Sequence, residues 1–147
     1  MTILRRLFDP AEPPLVAEHA VFGTIRFSKP DCWTNDAFVL WGTTDVQLLL
    51  TATRQGPSTR QVEAYLRFRD AQSALLPRCL EAVDAVRSRH GIPKAAFRIS
   101  ALSIPSFTDG PSPTLWKLWF DLEGDDHFMY GVESEDEWQT LTGFADD

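Results

Sequence analysis

The side chains best placed to do chemistry lie in one short run, Asp121-Leu-Glu123-Gly-Asp125-Asp126-His127. Alternating carboxylates over such a span resemble a calcium loop, because a hard cation needs several oxygens converging within a few residues. The match fails at defined positions. With Asp121 as the first ligand, the sixth place holds Asp126 where glycine is required, and the twelfth holds Val132 where a glutamate is required. A turn between two strands, built from turn-forming residues, accounts for the same composition. Asp125, Asp126 and His127 remain the candidates for a divalent metal, and with them the alternative of a small metal-dependent hydrolase.

The other reactive groups point elsewhere. His19, His90 and His127 show no metal-ligand spacing, and His90 stands where a positive charge suits a helix C-terminus. Cys79 falls on an apolar helical stripe and reads as core, whereas Cys32 falls in a turn. A Cys–His nucleophile would need an electropositive, accessible thiol. The chain has no nucleophile elbow, phosphate-cradling glycine loop or dinucleotide fingerprint. Arg60, Arg67, Arg78, Arg87 and Arg89 are matched by Glu63, Asp70, Glu81 and Asp84, which reads as ion pairing. No catalytic residue and no cofactor is assigned.

Charge is distributed unevenly. Through Arg98 the chain carries 13 basic and 10 acidic residues, and from Ile99 onward one basic residue, Lys117, against 11 acidic ones. That asymmetry argues against nucleic-acid binding, which needs a basic footprint, and permits an acidic face for a basic protein partner. Plain solvation of an exposed face explains it equally. The partner-binding candidates are Asp121, Glu123, Asp125, Asp126, Glu133, Glu135, Asp136 and Glu137, with Trp119 and Trp138 as aromatic anchors. Trp119 shares a strand face with Lys117 and Asp121, so it is either exposed or covered by another part of the chain.

These residues need a scaffold, and 147 residues suffice for one domain with its own core. The first residues hold no apolar run before a small-residue cleavage site, and no apolar stretch is long enough to span a bilayer. Together with two distant cysteines, this predicts a cytoplasmic chain with free thiols. A Pro-rich opening makes residues 1–16 an N-terminal arm, with a single domain over 17–147. Strands are expected at 22–27, 37–41 and 46–53, joined by short turns. Ser58 and Gln61 match a capping box and open a helical pattern that runs to His90. Pro77 is expected to kink it or to start a second helix. Residues 97–104 return to alternation, and 115–122 with 128–133 form a hairpin in which Trp116, Leu118, Phe120 and Leu122 share the buried face. The fold class is therefore α+β: an antiparallel sheet, order β-β-β-α-(α)-β-β-β, with a kinked helix or helix pair on one face.

Three segments carry a family likeness: His19-Ala-Val-Phe-Gly-Thr-Ile25, Glu63-Ala-Tyr65-Leu-Arg-Phe68 continuing to Leu75-Leu-Pro77, and Leu118-Trp-Phe-Asp121 leading to Asp126-His127-x-x-Tyr130-Gly131-Val132-Glu133. In these the chain resembles small bacterial domains of unknown function, some of them proposed as immunity proteins beside polymorphic toxins. The likeness implies a non-enzymatic domain that binds a protein, and it brings no catalytic residues. A scaffold that homodimerises through the edge of the C-terminal hairpin is the third expectation, since an unpaired strand can template another.

Overall fold

The computed structural model describes residues 15–28, 30–107, 116–134 and 141–146. Of the expected arm, only Leu15 and Val16 lie among them. Eight strands form one mixed sheet in sequence order: β1 Val16–His19, β2 Gly23–Ser28, β3 Cys32–Leu40, β4 Thr43–Thr51, β5 Phe97–Ile104, β6 Trp116–Leu122, β7 Met129–Ser134 and β8 Leu141–Asp146. Two helices, α1 Thr59–Asp70 and α2 Gln72–Arg89, stand between β4 and β5.

Two features correct the sequence-based picture. Four strands precede the helices and four follow them among the described residues, because β1 and β8 join the sheet. The sheet is also not wholly antiparallel, since β4 and β5 run parallel. Two antiparallel meanders that meet through a helical crossover must pair this way, for a crossover returns the chain to the edge it left in the same direction. The Leu115–Glu133 hairpin is likewise not an edge: β7 is paired on one side by β6 and on the other by β8.

Alternation decides which side chains fill the core. Trp116, Leu118, Phe120 and Leu122 are all buried, as their period of two requires. They join Leu48 and Leu50 of β4, Leu102 and Ile104 of β5, and Tyr130 and Val132 of β7 in one cluster with Tyr65, Phe68, Leu75, Cys79, Val83 and Val86 of the helices. Burial pushes the Cys79 thiol up to about 12, consistent with an inert core residue. Gly143 lets α2 approach β8: a Cβ there would stand 2.7 Å from the Ala82 carbonyl oxygen.

The helical segment breaks at Ala71, not at Pro77, which lies inside α2. Ala71 has φ −95° and ψ 16°, ending one helix and starting the next. The Arg69 carbonyl, which would accept the Ser73 amide in an unbroken helix, instead accepts the Trp41 indole N–H at 3.0 Å. Trp41 was expected to end a strand. It occupies a two-residue turn with Gly42, at φ 51° and 79°, while Leu40 pairs with Thr43 across them. This left-handed pair matches the twist of a tight hairpin. The Trp41 ring offsets its backbone strain by stacking on Phe68, centroids 4.5 Å apart and planes 18° apart.

Candidate functional site

The sheet has two ends of opposite character. At the end where the parallel pair terminates, Thr51 and Ile104 finish their strands and α1 begins. In open sheets with parallel strands, ligands commonly bind in the crevice beyond the strands' carboxyl ends. Here that place is filled by Gln61, only 1% exposed. Its carbonyl oxygen accepts the Ser58 amide at 3.0 Å, and the Ser58 hydroxyl accepts the Gln61 amide, completing the capping box. Its amide nitrogen donates to the carbonyls of Thr51 at 2.9 Å, Pro105 at 3.0 Å and Ile104 at 3.4 Å. One side chain thus caps a helix and ties both parallel strands.

The opposite end gathers the acidic hairpin turn. β6 finishes at Leu122, which pairs with Phe97 at the start of β5, and Met129 at the start of β7 pairs with Asp146 of β8. Asp121, Asp125, Asp126, His127 and Asp146 line a concavity of about 570 Å³ together with Leu122, Phe128 and Met129. Met129 is 46% exposed. Glu123 is exposed beside Gly124, whose φ of 82° makes the turn.

Asp125 organises this turn. One of its oxygens accepts the amides of His127 at 2.9 Å and Phe128 at 3.4 Å, and the other accepts the Tyr130 hydroxyl at 2.7 Å. The Tyr130 hydroxyl and then the His127 amide hold the Asp125 carboxyl below its usual range. Burial, reinforced by the Asp125 carboxylate, pushes the Tyr130 phenol up to about 12. With both oxygens engaged, Asp125 serves the turn more than a metal. Among the described residues no three of His, Cys, Asp and Glu come together as a metal-binding group.

Trp119 and Glu133 lie apart from the turn, on the outer face of the C-terminal strands. Trp119 pairs with Gly131 and Gly131 with Phe144, so the three form a row across β6, β7 and β8. The Phe144 ring covers Gly131, where any Cβ would collide with it. Trp119 is half-buried and meets Phe144 edge to face at 5.0 Å. Glu133 pairs with Lys117 at 3.1 Å, which engages the only basic residue of the acidic third. Asp121, Glu123 and Asp126 are thereby brought together with Asp125, whereas Trp119 and Glu133 are placed elsewhere. Glu135, Asp136, Glu137 and Trp138 lie outside the described residues. Asp146 was not anticipated, because only the β7–β8 register brings it to the turn.

No helix among the described residues is long and apolar enough to cross a membrane. In comparisons with known proteins, the chain matches no family model, no curated protein and no solved structure.

Proposed function

We propose that this chain is a non-enzymatic protein-binding domain of the bacterial immunity type, which uses the acidic end of its sheet to oppose a basic protein surface such as that around a nuclease active site. The observation that carries this reading is that Asp121, Asp126 and Asp146 line one concavity together with Phe128 and Met129. Carboxylates beside an exposed apolar side chain such as Met129 suit a partner that presents lysines or arginines next to apolar groups. Complementary charge speeds encounter and sets register, while the apolar contact slows dissociation. A fixed turn helps as well, because a surface already ordered loses less entropy on binding. Asp125 and Tyr130 supply that order.

Co-expression with the product of the adjacent gene tests the reading. A complex is expected whose association slows steeply with added salt, with rescue of the cells from that product's toxicity. Replacing Asp121, Asp126 and Asp146 together by asparagine should slow association about tenfold or more with little change in stability, as for other charges that steer encounter. A complex insensitive to both salt and these substitutions, or no complex at all, would remove the proposal.

A further inference from the structure

We infer that His19 is an acid-sensitive latch on the edge strand β1: its neutral imidazole holds the β1–β2 hairpin closed, and a proton on that ring opens it. The turn between the two strands directs two of its amides at one atom. His19 Nδ1 accepts the Val21 amide at 3.0 Å and the Phe22 amide at 3.2 Å. A ring nitrogen that accepts carries no proton, so this imidazole is the neutral form with its hydrogen on Nε2. The ring leans on Phe22, centroids 4.8 Å apart, and Phe22 is fully buried against Tyr65. From the other side Asn35 donates to the Phe22 carbonyl at 2.9 Å. The turn is thus held by one acceptor and one donor, and only the acceptor can change its charge.

Protonation reverses the sign of that contact. Both nitrogens of an imidazolium are donors, so Nδ1–H would stand against two N–H groups. The ring or the turn must then move, and both amides lose their acceptor. Imidazole is the side chain whose ordinary charge change falls between about pH 5 and 8. The charged groups on the neighbouring elements are engaged or directed elsewhere. Alternation places Glu18 of β1 and Arg26 of β2 on the face opposite to His19, where Glu18 accepts the Thr24 hydroxyl. On β3, Asp36 is exposed beside the uncharged Asn35. On α1, Tyr65 stands behind Phe22, its phenol pushed up by burial and so neutral in this range. Little else holds β1. It has four residues and, among the described residues, pairs on one side only, with β2; the Leu15 carbonyl just before it accepts the Phe27 amide at 2.8 Å. Opening the turn therefore frees β1 and leaves β2 as the edge of the sheet, with backbone groups able to template another strand.

Amide-exchange protection on either side of the imidazole range, at about pH 7.5 and about pH 5, tests the latch once each rate is corrected for its intrinsic value. Val21, Phe22 and Phe27 should lose protection about tenfold or more in acid, as for the loss of at least one net hydrogen bond, while the amides of β6 and β7 keep theirs. His19→Asn keeps an acceptor that does not titrate, of the kind by which Asn35 Oδ1 takes the Ala37 amide two residues on at 3.0 Å. That variant should hold the same protection at both pH values. The ring-nitrogen chemical shifts of the unaltered protein read the tautomer without any variant, and at neutral pH they should show the hydrogen on Nε2. Protection unchanged in acid in the unaltered protein, an equal acid loss in His19→Asn, or a ring with its hydrogen on Nδ1 at neutral pH would each overturn the inference.

Discussion

The two ends of the sheet solve the same problem in opposite ways. Both must deal with the polar groups exposed where a parallel pair starts or stops. At the closed end Gln61 satisfies the carbonyls of Thr51, Ile104 and Pro105 and is itself fully used. At the open end the strands part, Arg98 spans the gap with a single bond, and Ser100 keeps an unmet hydroxyl. Buried polar groups cost little when paired and much when not. Among these groups the paired ones lie at one end and the unpaired hydroxyl at the other. The acidic turn belongs to the open end, and its one internally satisfied member, Asp125, is the one that holds the rest in place.

Substitutions can break this contrast, and the largest effect should come from Gln61→Leu. It removes half of a capping box and strands three carbonyls, for a loss of about 3 kcal/mol in urea-induced unfolding. A loss under about 1 kcal/mol would mean that the closed end is not sealed by this residue.

Next comes the Asp125–Tyr130 pair, the closed element within the open end. Tyr130→Phe should cost about 1–2 kcal/mol at neutral pH. The pH profile sharpens the assignment. Because the folded state raises the Tyr130 phenol from about 10 to about 12, its contribution is complete below pH 10 and is lost as the pH rises from 10 to 12. The drop over that window amounts to about 2–3 kcal/mol and should be missing in Tyr130→Phe. The depressed Asp125 carboxyl acts in the other direction. Its contribution is present above its unfolded value of 3.8 and fades as the pH falls below that.

Smaller effects, of opposite sign, belong to the parted strands. Ser100→Ala should stabilise the protein by about 0.5–1 kcal/mol, since it deletes a buried hydroxyl that has no partner; thermal unfolding reads the sign directly. Arg98→Gln should change stability by less than about 0.5 kcal/mol, as expected of an exposed side chain. If it instead destabilised the fold as strongly as Gln61→Leu, the two ends would be alike and the contrast would fail.

The sequence exposes local physics well and distant pairing poorly. The inward row of β6 was legible because alternation puts Trp116, Leu118, Phe120 and Leu122 on one face whatever they meet. The capping box was legible because Ser58 and Gln61 are three residues apart. The other duty of Gln61 was not, since Ile104 and Pro105 lie more than forty residues away. For the same reason the parallel pair escaped notice: nothing local distinguishes a strand reached by crossover from one reached by a hairpin. Strand β8 was hidden by its glycine and its acidic neighbours, yet Gly143 is the residue that admits α2. The helix break was assigned to Pro77 on local grounds, but Pro77 sits within α2, and the break falls where Trp41, nearly thirty residues earlier, takes the Arg69 carbonyl.

The candidate site divided along the same line. The turn carboxylates were found because they are adjacent in sequence, whereas Asp146 depends on strand order. Trp119 and Glu133 share the acidic third with the turn and, like Asp121, lie on the outer side of the sheet, but they stand further along their strands, against Phe144 and Lys117.

The most direct test of the open end as the binding end is an amide-exchange footprint of the complex with the adjacent gene's product. Slowed exchange is expected at residues 121–129 and at Asp146, with Ser58, Gln61 and the ends of β4 and β5 unchanged. Slowing confined to the Gln61 end, with the acidic turn exchanging as in the free protein, would contradict the account.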